Sequence, residues 1–209
     1  MSSNLPWMWF AMRASGLTAW TLLSATIVWG LLLRTRLLPA ASPMRLMGLH
    51  KYLGSLALVT LAVHLVTVLL DPTLHFTWVN ALIPFTASWK PLALAAGIIA
   101  AYLMVPVQLV ARVRARMGKS GAAWFNRTHL IAYAAWPLAT AHYVMAGTDA
   151  LAPASIMLLS SVTLVIVLLL TARGWIPRGY FAKREARRSV PAPTSQADEK
   201  VLVGAGRSN

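Results

Sequence analysis

The chain has 209 residues, of which 58% are hydrophobic and only 11% charged, and its mean hydropathy is +0.63. A soluble domain carries roughly 25% charged residues to face water, so a water-soluble globule is excluded and an all-α integral membrane protein is expected. Nineteen Lys and Arg against five Asp and Glu give a net charge of +14, but the basic residues sit in loops between apolar runs, so membrane topology accounts for them and nucleic acid is not expected as a partner.

The residues before Arg13 are uncharged, so the basic n-region of a signal peptide is not expected there. Five apolar stretches follow, each near the roughly 20 residues that a helix needs to cross the hydrocarbon core. They cover 13–33, closed by Arg34 and Arg36; 49–70, ending at Asp71-Pro72; 91–111, followed by Arg112, Arg114 and Arg116; 124–145, ending at Gly147-Thr148-Asp149; and 153–172, closed by Arg173-Gly174. A bundle of five transmembrane helices, or six, is the expected architecture. The outer loop 71–90 carries His75, Phe76, Trp78 and Trp89, residues suited to interfacial anchoring. Residues 1–172 form the membrane domain. Residues 173–209 form a basic tail that is rich in Pro, Ser and Gly beyond Arg188 and is expected to be disordered, its basic part on the anionic inner leaflet.

Alternate loops differ sharply in charge. The segment 34–51 holds four basic residues, 112–127 holds five, and everything from Arg173 onward holds eight. The opposite side has Arg13 and Lys90 beside Asp71 and Asp149. Positive-inside bias then puts the N-terminus outside and the C-terminus in the cytoplasm, in a multi-pass protein of the inner or plasma membrane.

Four of the five histidines fall in two spans: His50 and His64 in the second, His129 and His142 in the fourth. Ionisable side chains within a membrane are expensive and mark candidate sites, although any one of them can simply hydrogen-bond a neighbouring carbonyl. The spacing carries more than the count. Fourteen residues separate His50 from His64, and thirteen separate His129 from His142, or roughly 20 Å of helix in each case. Both spans start on the cytoplasmic side, so His50 pairs with His129 at an inner level and His64 with His142 at an outer level. Two such couples suit two haem irons stacked across the membrane. The absence of cysteine removes iron–sulfur clusters, thiolate zinc sites and c-type haem attachment, and tetrahedral zinc needs its ligands gathered on one centre. In phase, His64 returns to within ~40° of the face of His50, whereas His142 falls ~140° from that of His129. A kink or tightened turn at Pro137, or a His129 that precedes the regular helix, is needed to bring them into line.

The segments Leu49-His50-Lys51-Tyr52-Leu53-Gly54 … His64 and Trp124-Phe125-Asn126-Arg127-Thr128-His129 … His142 resemble the ferric reductase-like transmembrane domain family. That family includes ferric reductases, NADPH oxidases and the haem-binding membrane subunit of methionine-sulfoxide reductase systems. Arg13-Ala14-Ser15-Gly16 and Pro84-Phe85 … Trp89-Lys90-Pro91 … Gly97 resemble bacterial members, and the likeness covers about residues 10–172. The resemblance implies two non-covalent b haems that pass electrons from the cytoplasmic to the outer face. Large members add an N-terminal span and a flavin/nicotinamide domain. No flavin site is evident here, so a separate flavoprotein reductase or quinol is expected as donor, with a protein or small molecule as outer acceptor.

Haem propionates need cations. Lys51, Arg127 and Arg45 flank the inner ligands, although the positive-inside rule already explains them. Arg13 and Lys90 are the outer basic residues, and Arg13, at the outer end of span one, is the candidate for an outer propionate, with snorkelling to headgroups as its alternative. Trp136, Tyr133, Tyr143, Trp124 and Met104 either pack on a porphyrin or belong to ordinary core. Gly54 and Gly97 allow close approach of a macrocycle or a helix, and Gln108 and Pro106 mark either a cofactor edge or a kink. Two other functions remain open: a His-lined proton or metal-ion transporter, which expects polar residues between the histidine levels, and a quinol- or superoxide-linked cytochrome b with its own active site.

Overall fold

The computed structural model describes residues 7–35, 43–72, 74–116 and 118–175. All regular elements among them are helical: α1 (Trp7–Thr35), α2 (Pro43–Leu70), α3 (Trp78–Leu82), α4 (Pro91–Val113), a 3₁₀ turn (Arg114–Arg116), α5 (Gly118–Leu130), α6 (Ala132–Ala146) and α7 (Pro153–Trp175). The chain divides after Arg173. Of the second part only Gly174 and Trp175, the end of α7, are described, and the expected disordered tail otherwise lies outside the described residues.

Local chemistry sets the boundaries. Pro43, Pro91 and Pro153 each open a helix, where the missing N–H is one that no helical carbonyl would have bonded. Pro72 disfavours the helical region for Asp71 and so stops α2. In the loop that follows, Thr77 and Asn80 cap α3 reciprocally, and the Tyr102 hydroxyl donates to the Leu82 carbonyl, tying α3 to α4.

Four helices are long and apolar enough to cross a bilayer: 7–35, 44–70, 91–113 and 153–175. They fit a multi-pass membrane protein. Helices α1 and α2 start six residues earlier than the apolar pattern alone suggests. The fourth expected span is different, because its residues are shared between α5 and α6, with the break at Ile131. Around it the amide of Ile131 bonds the carbonyl of Thr128, and that of Ala134 the carbonyl of Ile131. The tightening therefore falls at Ile131 and not at Pro137, which α6 accommodates in its interior. Alone, the 15 residues of α6 are shorter than the roughly 20 of a full crossing.

Helices α1, α2, α4 and α6 form a ring in which each packs on two neighbours: α1 on α2 and α6, α4 on α6 and α2. The core contains Leu23, Ile27 and Leu31 of α1, Met104 of α4, Ala135 of α6 and Ile166 of α7. Across the ring, α2 faces α5 and α6 without packing on them, and no described Cα of α2 comes within 8 Å of theirs. Large apolar side chains lie open on the outside, among them Val59, Leu92, Leu109, Met157 and Leu168. A water-facing surface rarely leaves so much apolar area uncovered; lipid covers it at no desolvation cost.

Candidate site: two imidazole couples across an open slot

Helix α2 runs without interruption from Pro43 to Leu70, so His50 and His64 stand about 21 Å apart along it, at two levels of the ring. At each level an imidazole from the opposite side comes to meet them. The ring centroids of His50 and His129 are 5.9 Å apart with planes at 67°, and those of His64 and His142 are 6.3 Å apart at 71°. The pairing expected from spacing is the pairing present. The break at Ile131 takes up part of the phase deficit of span four, since each residue in a 3₁₀ turn advances by about 120° instead of about 100°, and His129 stands on α5, a helix separate from the α6 that carries His142.

Three of the four rings are held in one way. The Nδ1 atoms of His64, His50 and His142 lie 2.9, 3.1 and 2.8 Å from the carbonyl oxygens of Met12, Thr26 and Ala93. A carbonyl only accepts, so each Nδ1 carries the proton and donates it, leaving the Nε2 lone pair free. Beneath each ring lies a glycine. A Cβ on Gly16 would come 2.9 Å from His64 Cε1, one on Gly30 3.0 Å from His50 Cε1, and one on Gly97 2.7 Å from His142 Nδ1. Each glycine follows its carbonyl residue by four positions, so it lies over that carbonyl on the same helix face and leaves it bare for an imidazole.

His129 lacks this cradle. Its Nδ1 is buried and meets no hydrogen-bond partner among the described residues. The ring is stacked on Phe125, with centroids 4.9 Å apart and planes at 19°, and Phe125 is in turn covered by the Arg114 guanidinium 4.4 Å above it.

Between the levels, two tryptophans join α1 to α6 in a closed loop of hydrogen bonds. Trp20 Nε1 donates to Thr140 Oγ1 at 3.0 Å, and Thr140 donates to the Trp136 carbonyl. Trp136 Nε1 donates to Ser24 Oγ at 2.9 Å, and Ser24 donates to the Trp20 carbonyl. Trp136 is thus a clasp at mid-height. Tyr143 stacks on Trp20 and donates to Ser155, Tyr133 accepts from Arg173, Met104 is core, and Trp124 is exposed. A Cβ on Gly54 would meet the Gln108 side-chain amide at 2.6 Å, so this glycine admits a neighbouring helix's side chain.

Among the flanking cations, Arg13 is half-buried, forms an ion pair with Asp149, hydrogen-bonds Thr148 and lies over Trp9. Lys90 donates to the Met145 carbonyl at 2.6 Å, one turn beyond His142. Lys51, Arg45 and Arg127 are exposed, and His75 is exposed in the outer loop.

The donor set has a defined chemistry. Two imidazoles opposed on one metal ion, each bonded at about 2 Å, have ring centroids roughly 6.4 Å apart, close to both observed separations. No three His, Cys, Asp or Glu residues gather as a metal-holding group among the described residues. Two imidazoles brought together from opposite sides of the ring, with no third ligand beside them among the described residues, would suit an iron held in a planar macrocycle. The four residues able to hold such a group are His50, His129, His64 and His142. What the sequence reading missed are the cradles: Met12, Thr26, Gly30 and Ala93. One signal was available, because Gly16 and Gly30 repeat at fourteen residues, as His50 and His64 do.

Set against family models, curated proteins and solved structures, the chain matches none.

Proposed function

We propose that this chain is the membrane core of an electron-transfer system of the ferric reductase-like kind, holding two non-covalent b haems and relaying electrons from the cytoplasmic to the outer face. The observation that carries the reading is the pair of opposed imidazole couples at two depths, with Nε2 left free by Nδ1 donation in three of the four rings.

When bound, haem supplies a one-electron couple at its iron. The chain supplies the rest. His50 with His129, and His64 with His142, would hold the haem irons through their imidazole nitrogens. The carbonyls of Met12, Thr26 and Ala93 orient their rings and make them more basic. The apolar ring of helices keeps water away. Lys51 and Arg127 provide inner positive charge toward propionates, and Arg13 provides it on the outer side, where Asp149 shares its charge. Two levels about 21 Å apart divide a bilayer crossing of roughly 30 Å into shorter steps. In this reading α5 and α6 together make the fourth of five crossings, the N-terminus is outside, and the tail is cytoplasmic. The donor is a separate flavoprotein reductase or quinol, and the acceptor is a protein or small molecule at the outer face of the inner or plasma membrane.

Chain purified from cells with ample haem is expected to show the sharp α band of low-spin, six-coordinate b haem on reduction. Colourless, folded protein contradicts the proposal.

A further inference from the structure

The four histidines are not equivalent, and the difference falls on one of them. His64, His50 and His142 each have a carbonyl acceptor 2.8–3.1 Å from Nδ1 and a glycine beneath the ring. His129 has neither: its Nδ1 is buried without a partner among the described residues, and a stacked Phe125 is what holds its plane. Its backbone differs as well. The three cradled imidazoles stand on α2 and α6, which pack directly on the helices that supply the carbonyls. His129 is the penultimate residue of α5, beside the tightened turn at Ile131, and so stands on a different helix from the His142 cradle on α6.

Resting on the function proposed above, the geometry points to His129 as a displaceable ligand, so that the inner site opens on its α5 side to a small, neutral exogenous ligand of the carbon monoxide or imidazole class while the outer site stays closed. An imidazole whose N–H is accepted by a carbonyl is a more basic and better oriented ligand, and loss of such a partner typically weakens metal binding about 10- to 100-fold. The outer couple has two partnered rings and the inner couple one. Release of His129 breaks its coordinate bond alone. The lone pair returns to Nε2, the incoming ligand donates a pair in its place, and no electron is transferred.

The test uses the full-length chain, haem-loaded and reduced with dithionite, titrated with carbon monoxide and followed by its absorption difference spectrum. The expected result is uptake by half of the haem, with the other half remaining six-coordinate. Phe125→Leu, which removes the stack and leaves all four histidines, is expected to speed that uptake about tenfold without changing its extent. His142→Ala, which removes the outer haem, is expected to raise uptake from half to all of the haem that remains. Haem-loaded protein that takes up no carbon monoxide, that takes it up at both sites alike, or whose uptake is indifferent to Phe125→Leu overturns the assignment of His129 while leaving the two-haem reading intact. Protein that binds no haem overturns both.

Discussion

A glycine in an apolar helix usually lowers stability, by about 1 kcal/mol relative to alanine. At Gly16, Gly30 and Gly97 it does something a larger residue cannot, because a single methyl would press on an imidazole at 2.7–3.0 Å. The ring could yield only by leaving the carbonyl that orients it. Gly97→Ala is therefore expected to destabilise the chain by about 1–3 kcal/mol, as overpacking does, and to weaken retention of the outer haem. Gly48→Ala, where an added Cβ meets nothing within 4 Å, should instead be neutral or stabilising by up to about 1 kcal/mol. Thermal unfolding in detergent, read beside haem content, separates the two, and equal behaviour would show that the cradles do not position the rings. The histidine couples were legible because imidazole is rare in a span and its spacing can be counted. The carbonyls of Met12, Thr26 and Ala93 were not, since every residue has one and only the fold selects which is used. Arg13 was legible as an outer cation; its partner Asp149 lies 136 positions away, beyond any local pattern.

Among the elements, α1, α2, α4 and α7 were readable from apolar length bounded by charge or proline; α1 and α2 start six residues earlier than expected, and α1, α4 and α7 end two or three residues later. The fourth stretch was not. Pro137 drew the expected break, yet a proline removes one hydrogen bond and a helix held by neighbours absorbs that loss. Ile131 carries no such signature: its backbone lies in the right-handed region at φ −60°, ψ −29°, and the turn tightens through i→i+3 bonds instead. The clasp of Trp20, Thr140, Trp136 and Ser24 was equally hidden, because it pairs residues more than 110 positions apart. Its two indole N–H groups have no water to turn to at that depth. A double-mutant cycle between Ser24→Ala and Trp136→Phe should return a coupling of about 1 kcal/mol, in the range of hydrogen bonds within membrane bundles. Additive effects in unfolding titrations would make the loop incidental.

At the scale of the whole molecule, the ring of four helices explains why the site is a slot and not a contact. Neighbours pack, while α2 stands off from α5 and α6, bridged by imidazoles. Orientation belongs to this scale too. Because the chain has no cysteine, single cysteines report topology without background. Ser88→Cys, between α3 and α4, should react with a membrane-impermeant maleimide in intact cells, and Arg116→Cys, between α4 and α5, only after lysis. The reverse pattern would invert the orientation on which the proposed direction of electron flow rests.

The claim on which all of this rests is that histidines act in couples by level. Pyridine haemochrome counting of haem per chain in four variants tests it directly. His64→Ala, His142→Ala and the His64/His142 double alanine variant should each retain one haem, the second substitution removing nothing further, whereas His64→Ala combined with His50→Ala should retain none. A double variant within the outer couple that loses both haems, or a cross-level double that keeps one, would contradict the account.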